Sequence, residues 1–181
     1  MTHEIVMAGF GGQGVLLVGQ LLAYAGMLEE KQVSWMPSYG PEMRGGTANC
    51  SVIISEEPIG APIIAEPTAV VAMNLPSMDK FAPSIKTGGV LIINSSLIST
   101  EPNRKDLVIY KVPANEIANE IGNSKVANMV ILGAVIAATD AVTVDGAIKA
   151  FQKKFASKPK MFTVNEQAIR RGMECVINAG K

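Results

Sequence analysis

The sequence predicts a single α/β domain with a mostly parallel sheet, and three features indicate this class. Short apolar runs typical of buried strands recur from Glu4–Gly9 to Leu107–Lys111. Helical patterns alternate with them, and a glycine-rich segment joins the first strand to the first helix, as in a Rossmann-like βαβ unit. The last third is helical, and no linker rich in Ser, Gly or Pro divides the chain. We therefore expect one domain over residues 1–181.

The individual elements follow from the same patterns. The first strand leads into an apolar helix over 15–28, and a short strand over 32–36 is expected to end before Pro37. In 47–55, apolar and polar residues alternate, which suggests a half-exposed, antiparallel strand. Further strands are predicted at 69–73, 89–94 and 107–111. A short helix is predicted to follow Asn74 and to end at Phe81, and longer helices are predicted at 113–121, 127–138, 144–155 and 165–179. Asn74, Ser124 and Thr143 are the expected helix caps.

Charge and hydropathy exclude two classes of protein. The chain has 16 basic and 16 acidic residues, and its densest basic stretch is only Gln152–Lys154. Nucleic-acid binding needs basic side chains concentrated on one face, so we exclude it. No apolar run is long enough to span a bilayer, and the start lacks a signal-peptide pattern. We expect a cytoplasmic protein that binds no membrane.

Residues able to hold a metal or iron–sulfur cluster are scarce. The chain has two cysteines, Cys50 and Cys175, and one histidine, His3. Structural zinc and iron–sulfur clusters take about four such ligands, so we expect no metal site. His3 precedes the first strand and is expected to be a solvent-exposed terminal residue, whereas both cysteines are expected to act as small apolar residues.

The glycine-rich segment Gly9-Phe10-Gly11-Gly12-Gln13-Gly14 has the spacing G-x-G-x-x-G between a strand and a helix. Such turns let backbone amides at a helix N-terminus approach a phosphate. A nicotinamide site would also place Asp or Glu at the end of the second strand, about 20 residues on. Residues 34–38 contain neither. The segment is therefore either an anion-binding turn, formed by Gly9, Gly11, Gly12, Gln13 and Gly14, or a close strand–helix connection without a ligand.

A second unusual segment follows the second strand, at 38–46. A simple surface turn needs Gly and Pro but not the interleaved Tyr39, Glu42 and Arg44. The guanidinium of Arg44 suits a carboxylate or phosphate, and Gly45-Gly46 would let the backbone approach a partner. The alternative is a solvated Glu–Arg pair on a stiff turn.

Together the two segments resemble the gamma subunit family of the 2-oxoacid:ferredoxin (acceptor) oxidoreductases, over nearly the whole chain. The resemblance implies an oxidoreductase complex that decarboxylates a 2-oxoacid, forms an acyl-coenzyme A and reduces ferredoxin or another acceptor. It implies alpha, beta and ferredoxin-like delta subunits as partners, with thiamine diphosphate, magnesium and iron–sulfur clusters in the complex and coenzyme A passing near this chain. At the positions that match the motifs of the family, the turn Gly9–Gly14 and Arg44 would bind a cofactor. The loop that contacts the partner subunits would comprise Tyr39, Gly40, Pro41, Glu42, Arg44, Gly45 and Gly46.

The residues agree with a dependent role, since we identify no catalytic residue in this chain. There is no Gly-Asp-Gly thiamine motif and no cysteine cluster. Among the remaining polar residues, Asn128 lies in an apolar helix and either faces a cleft or is satisfied locally. The alternatives are a free-standing NAD(P)-dependent enzyme and a regulator that binds coenzyme A or a nucleotide. We favour 2-oxoglutarate over pyruvate or branched-chain substrates, and the isolated chain could form a homodimer.

Overall fold

The computed structural model describes residues 1–38 and 47–180, which form six strands and six α-helices. The strands are β1 (Thr2–Phe10), β2 (Gln32–Ser38), β3 (Thr47–Ser55), β4 (Ala69–Ala72), β5 (Val90–Asn94) and β6 (Val108–Val112). The helices are α1 (Val15–Leu28), α2 (Leu75–Phe81), α3 (Ala114–Ile121), α4 (Ala127–Thr139), α5 (Val144–Lys154) and α6 (Phe162–Ala179). The longest of these helices, α6, is not apolar enough to cross a membrane.

All six strands form one sheet in the order β2-β3-β1-β4-β5-β6. The pairs β1–β4, β4–β5 and β5–β6 are parallel, whereas β3 is antiparallel to both β1 and β2. The predicted α/β class, the mostly parallel sheet and the antiparallel third strand are confirmed. In the first βαβ unit, β1 and β2 run in the same direction, but β3 lies between them because it pairs with both.

The helices cover the two faces of the sheet unequally. One core contains α1 and the four C-terminal helices, packed on strand residues such as Ile5, Met7 and Ile92. The opposite face is covered by α2, through contacts such as Met78 with Val70 and Leu91. The connection after β1 therefore crosses the face covered by α1 and leads to the β2 edge of the sheet. The connection after β4 crosses the face covered by α2 and leads towards the β6 edge. In folds of this kind, ligands bind where the connections reverse, outside the carboxyl ends of the two strands. We call this region at the ends of β1 and β4 the crevice.

Helices α4 and α6 cross at a contact between two glycines. A Cβ atom on Gly133 would overlap with the carbonyl oxygen of Ile169, and one on Gly172 would overlap with that of Val130. The two backbones can approach this closely only because both positions lack a side chain. The contact holds α4 against α6, and the buried residues of α4, which include Met129, belong to the core on this face of the sheet.

Several predicted boundaries are wrong by a few residues. Strand β2 continues through Pro37 to Ser38, since it is the edge strand of the sheet and its outer side has no described partner strand. Helix α6 begins at Phe162 rather than 165, after a short 3₁₀ turn. The turn before α4 is capped by Asn123, which accepts from Lys125 N at 3.0 Å, and not by Ser124. The predicted caps Asn74 and Thr143 are confirmed.

At the amino edge of the parallel strands, Glu29 joins the end of α1 to the start of α5. Its Oε1 accepts hydrogen bonds from Thr143 N at 2.8 Å and Thr143 Oγ1 at 2.7 Å, and Oε2 pairs with Lys31 Nζ at 3.0 Å. Burial alone would raise the pKa of Glu29, but the hydrogen bonds of Thr143 and Lys31 lower it. His3 lies in β1 and is half-buried, contrary to prediction, and burial together with Lys31 lowers its pKa.

Because α4 and α6 cross at Gly133 and Gly172, we expect one added methyl group at this contact to lower the stability of the fold. Gly133→Ala should lower the free energy of unfolding by about 1–3 kcal/mol, because overlap with the Ile169 carbonyl outweighs the better helix propensity of alanine. The measurement is urea unfolding followed by circular dichroism. Gly60→Ala is the matched control, since a Cβ atom there meets nothing within 4 Å. Equal stability of the two variants would contradict the crossing.

The Glu29 contacts predict a pH-dependent contribution to stability. Because folding lowers the pKa of Glu29 below its ordinary 4.5, its contribution is complete above that pH and is lost as the pH falls through the lowered pKa. Glu29→Gln should cost about 1 kcal/mol at pH 7, and less at pH 3, in urea unfolding. Glu30→Gln, an exposed neighbour, should change little at either pH. A Glu29→Gln penalty independent of pH would refute this role of the carboxylate.

Candidate functional site

The glycine-rich turn lies in the crevice, at the carboxyl end of β1. Gly9 is buried, and a Cβ atom on it would lie 2.6 Å from Gln13 Oε1 and 2.9 Å from Met73 Cβ. Gly11 is half-buried, whereas Gly12 is exposed with φ +95° and open space around it. Gly14 begins α1 in a left-handed conformation with φ 77°. The turn is thus packed against β4 on one side and open to solvent on the other.

Gln13 connects the turn to the neighbouring strand. Its Oε1 accepts from Phe10 N at 2.6 Å and from Asn74 Nδ2 at 3.3 Å, while its Nε2 donates to Met73 O at 3.3 Å. Asn74 in turn accepts from Ser77 N at 2.9 Å through Oδ1. The Gln13 amide therefore stabilises the turn between the ends of β1 and β4. Its polar atoms are used within the protein rather than presented to a ligand.

Asn128 contacts the same turn from α4. Its Nδ2 lies so close to Gly14 that a Cβ atom there would overlap with it. The side chain is half-buried and has no hydrogen bond to any residue that the structure describes. Of the two readings of this residue, a cleft-facing amide is the one that agrees with this geometry. It is a polar group with unused donors and acceptors beside the start of α1.

The N-terminus of α1 has no side-chain cap among the described residues, and no acidic residue lies in its first turn. Its first backbone N–H groups can therefore bind an anion, favoured by the dipole of a 14-residue helix. The polar side chains at the turn, Gln13, Asn74 and Asn128, are neutral amides, which transfer no protons at neutral pH.

Shifted pKa values occur elsewhere in the described residues. Glu29 and His3 lie at the opposite edge of the sheet, and Cys50 lies beneath α1, where burial raises the pKa of its thiol to about 12. A thiol with such a pKa stays protonated and unreactive. Within 1–38 and 47–180, no group of three His, Cys, Asp or Glu side chains could hold a metal ion. None of these groups with a shifted pKa lies at the glycine-rich turn.

The second predicted segment, Tyr39 to Gly46, lies outside the described residues, so the predictions for Tyr39, Gly40, Pro41, Glu42, Arg44, Gly45 and Gly46 stay predictions. The residues that flank it are described. Thr47 pairs with Phe10 at the carboxyl end of β1, and Ser38 pairs with Asn49 one strand further out. Both ends of the segment thus lie at the edge that carries the glycine-rich turn.

The sequence alone did not reveal which polar residues meet at this turn. Asn74 was predicted only as a helix cap, and its contact with Gln13 spans 61 positions. Asn128 stood out as a polar residue in an apolar helix, but its neighbour Gly14 is remote in sequence. A buried or half-buried amide in an otherwise apolar segment was the available signal.

Fold and turn together define an α/β domain with a glycine-rich strand–helix turn at the point where the sheet reverses its connections. Residues 4–175 match the family described as pyruvate ferredoxin/flavodoxin oxidoreductase, and the chain belongs to this family. The ketoisovalerate oxidoreductase subunit VorA of Methanothermobacter thermautotrophicus is 39% identical over 172 residues, which are 94% of this chain. The resemblance inferred from the two sequence segments is confirmed at the level of the family.

Solved structures agree with this assignment. The gamma subunit of a keto/oxoacid ferredoxin oxidoreductase from Geobacter sulfurreducens has a TM-score of 0.84 and 32% identity, covering 97% of this chain and 99% of that subunit. A 2-oxoglutarate:ferredoxin oxidoreductase from Magnetococcus marinus, solved with 2-oxoglutarate, coenzyme A and succinyl-CoA bound, has the same fold, with a TM-score of 0.89 at 22% identity. The matched region covers 98% of this chain and 31% of the Magnetococcus chain. The chain likewise spans only 36% of VorA.

The contact of Gly14 with Asn128 can be tested by comparing two glycines with positive φ. Gly14→Ala should cost more free energy of unfolding than Gly122→Ala, because both strain the backbone but only the first also collides with a side chain. We expect about 1 kcal/mol for Gly122→Ala and roughly 2 kcal/mol for Gly14→Ala. Adding Asn128→Ala should remove most of the difference. If the double variant remains as unstable as Gly14→Ala, Asn128 does not contact the turn.

Proposed function

We propose that this chain acts as the gamma subunit or domain of a 2-oxoacid:ferredoxin oxidoreductase, which decarboxylates a 2-oxoacid oxidatively, forms acyl-coenzyme A and reduces ferredoxin or another acceptor. Residues 1–181 form a single gamma-type domain in this proposal. Membership of the family over residues 4–175 and the full-length similarity to the Geobacter gamma subunit support it.

The observation that carries the proposal is the chemistry of the crevice. It offers backbone N–H groups and amide side chains, but no nucleophile, acid or base among the residues described at the turn. Such a site binds an anionic ligand without transforming it. The chain then contributes binding and orientation, and the reaction takes place at groups held by companion subunits.

The ligand we assign to the crevice is coenzyme A, bound through one of its phosphates. The N-terminus of α1 and the turn Gly9, Gly11, Gly12, Gln13 and Gly14 would cradle the phosphate, with Gly12 on the open side. Asn128 would add a hydrogen bond, and Arg44 would supply the positive charge that the described part of the turn lacks. The coenzyme A in the Magnetococcus enzyme of the same fold supports this assignment.

The companions in this proposal are alpha, beta and ferredoxin-like delta subunits. Thiamine diphosphate with magnesium would supply decarboxylation there, and iron–sulfur clusters would carry the electrons. The described residues of this chain do not bring together a donor set for a metal. Its segment Tyr39 to Gly46, attached at the edge of the crevice, would contact the catalytic subunits. The substrate we favour is 2-oxoglutarate, as in the Magnetococcus enzyme, although VorA is named for ketoisovalerate.

A free-standing NAD(P) enzyme fits the sheet less well. A dinucleotide needs its ribose held at the end of the strand next to β1. Here β3 occupies that place, and the end of β2 lies two strand spacings away, roughly 10 Å. Residues 34–38 also carry no carboxylate.

Kinetics of the assembled complex test the proposal. Asn128→Ala and Arg44→Ala should each raise the KM for coenzyme A about tenfold, the equivalent of one hydrogen bond to a charged group. The KM for the 2-oxoacid and kcat should change little, because the proposal assigns both residues to the phosphate of coenzyme A and not to the reacting carbon. The isolated chain should reduce no acceptor with any 2-oxoacid.

Asn178→Ala, an exposed amide on α6, is the matched control and should leave every constant unchanged. Calorimetry with NAD(H) and NADP(H) on the isolated chain tests the alternative function, a free-standing NAD(P) enzyme. Micromolar binding of either dinucleotide, with an unchanged KM for coenzyme A in both variants, would reject the proposal.

A further inference from the structure

A second candidate site lies away from the crevice, in a groove between α1, β2 and α5. Its volume is about 400 Å³, and its floor is formed by Tyr24, Met27 and the ring of Trp35. Met27 is 59% exposed although it is a large apolar side chain on a helix that is otherwise well buried. Lys153 and Lys154 form the rim. Concave apolar sites of this size accommodate one or two apolar side chains.

The rim belongs to a larger cluster of basic residues at the end of α5. Five lysines lie between 146 and 165 without a single Asp or Glu in that stretch: Lys149, Lys153, Lys154, Lys158 and Lys160. All five are exposed, and none lies within 4.0 Å of a carboxylate among the described residues. In a chain with no net charge, this local excess of positive charge is available to a partner.

The third component is the free edge of the sheet. Trp35, in the groove floor, belongs to β2, which pairs only with β3 among the described strands. Met36 on the same strand is 39% exposed. An edge strand beside an apolar groove can accept an extended segment of another polypeptide through main-chain hydrogen bonds.

We propose that this surface, composed of the groove, the lysine cluster and the β2 edge, docks an acidic segment of a companion subunit that carries apolar anchor residues. The inference rests on the proposed function, which requires companions. Carboxylates of the segment pair with the lysines, and its apolar side chains enter the groove over Trp35. The recessed apolar floor and the absence of Arg from the cluster favour a polypeptide over a nucleic acid or an anionic membrane.

Charge reversal tests the electrostatic part. Lys153→Glu/Lys154→Glu in the full chain should raise the Kd for the purified alpha–beta companions at least about tenfold, since each reversal places like charges together. Lys86→Glu/Lys105→Glu, with the same change of charge at exposed positions on other elements, should change the Kd less than about twofold. Raising NaCl from about 50 to 300 mM should weaken wild-type binding and affect the reversed variant much less.

Two further measurements test the apolar part. Met27→Ser should weaken binding, whereas Ile63→Ser, at a residue 73% exposed elsewhere, should not. Hydrogen exchange in the complex should show new protection in residues 20–36 and 149–160. Thermal unfolding of each variant verifies its fold.

The outcomes separate the two proposals. If the wild-type chain fails to bind the companions, the proposed function is rejected together with this inference. If wild type binds and the Lys153/Lys154 and Met27 variants bind equally well, only the docking surface is rejected. It is also rejected if the lysines prove to bind single-stranded RNA or phosphatidylglycerol vesicles while the affinity for the companions is unaffected.

Discussion

The position of α4 determines both the packing of this domain and the composition of its crevice. The backbone contact at Gly133 and Gly172 holds α4 against α6 at a distance that residues with a Cβ atom would not permit. Asn128 lies one and a half turns before Gly133 on the same helix. The same helix therefore contacts α6 through Gly133 and the glycine-rich turn through Asn128, whose Nδ2 lies beside Gly14.

Much of the fold was predictable because local pattern and tertiary environment agree. Helix α1 has the predicted bounds, and the alternation in β3 correctly indicated an antiparallel strand. The end of β2 was misjudged because Pro37 excludes a central strand but not an edge strand, and the strand order is a tertiary property. The roles of Gly133 and Gly172 were not predictable, because a glycine in an apolar helix does not indicate which backbone it meets.

The sequence indicated where the candidate site lies, but it did not indicate which residues of other strands and helices complete it. The spacing of Gly9 to Gly14 indicated a tight connection between a strand and a helix, and the structure has this connection between β1 and α1. That it binds an anion stays a prediction. The amides of Gln13, Asn74 and Asn128 come together only because β4 and α4 pack beside β1. A glycine turn also does not specify its ligand, since any phosphate satisfies a helix N-terminus. The choice of coenzyme A depends on the family and not on the turn.

Charge is distributed in a way that suits a part of a larger assembly. The lysines from 149 to 160 have no acidic residue between them in the sequence and no carboxylate within 4.0 Å among the described residues. The zero net charge of the chain therefore includes a local excess of positive charge beside the apolar groove, on a different part of the surface from the crevice. In the proposed function the ligand site lacks reactive groups, so this chain would lie beside those of another subunit. The lysines and the groove would serve to hold it there.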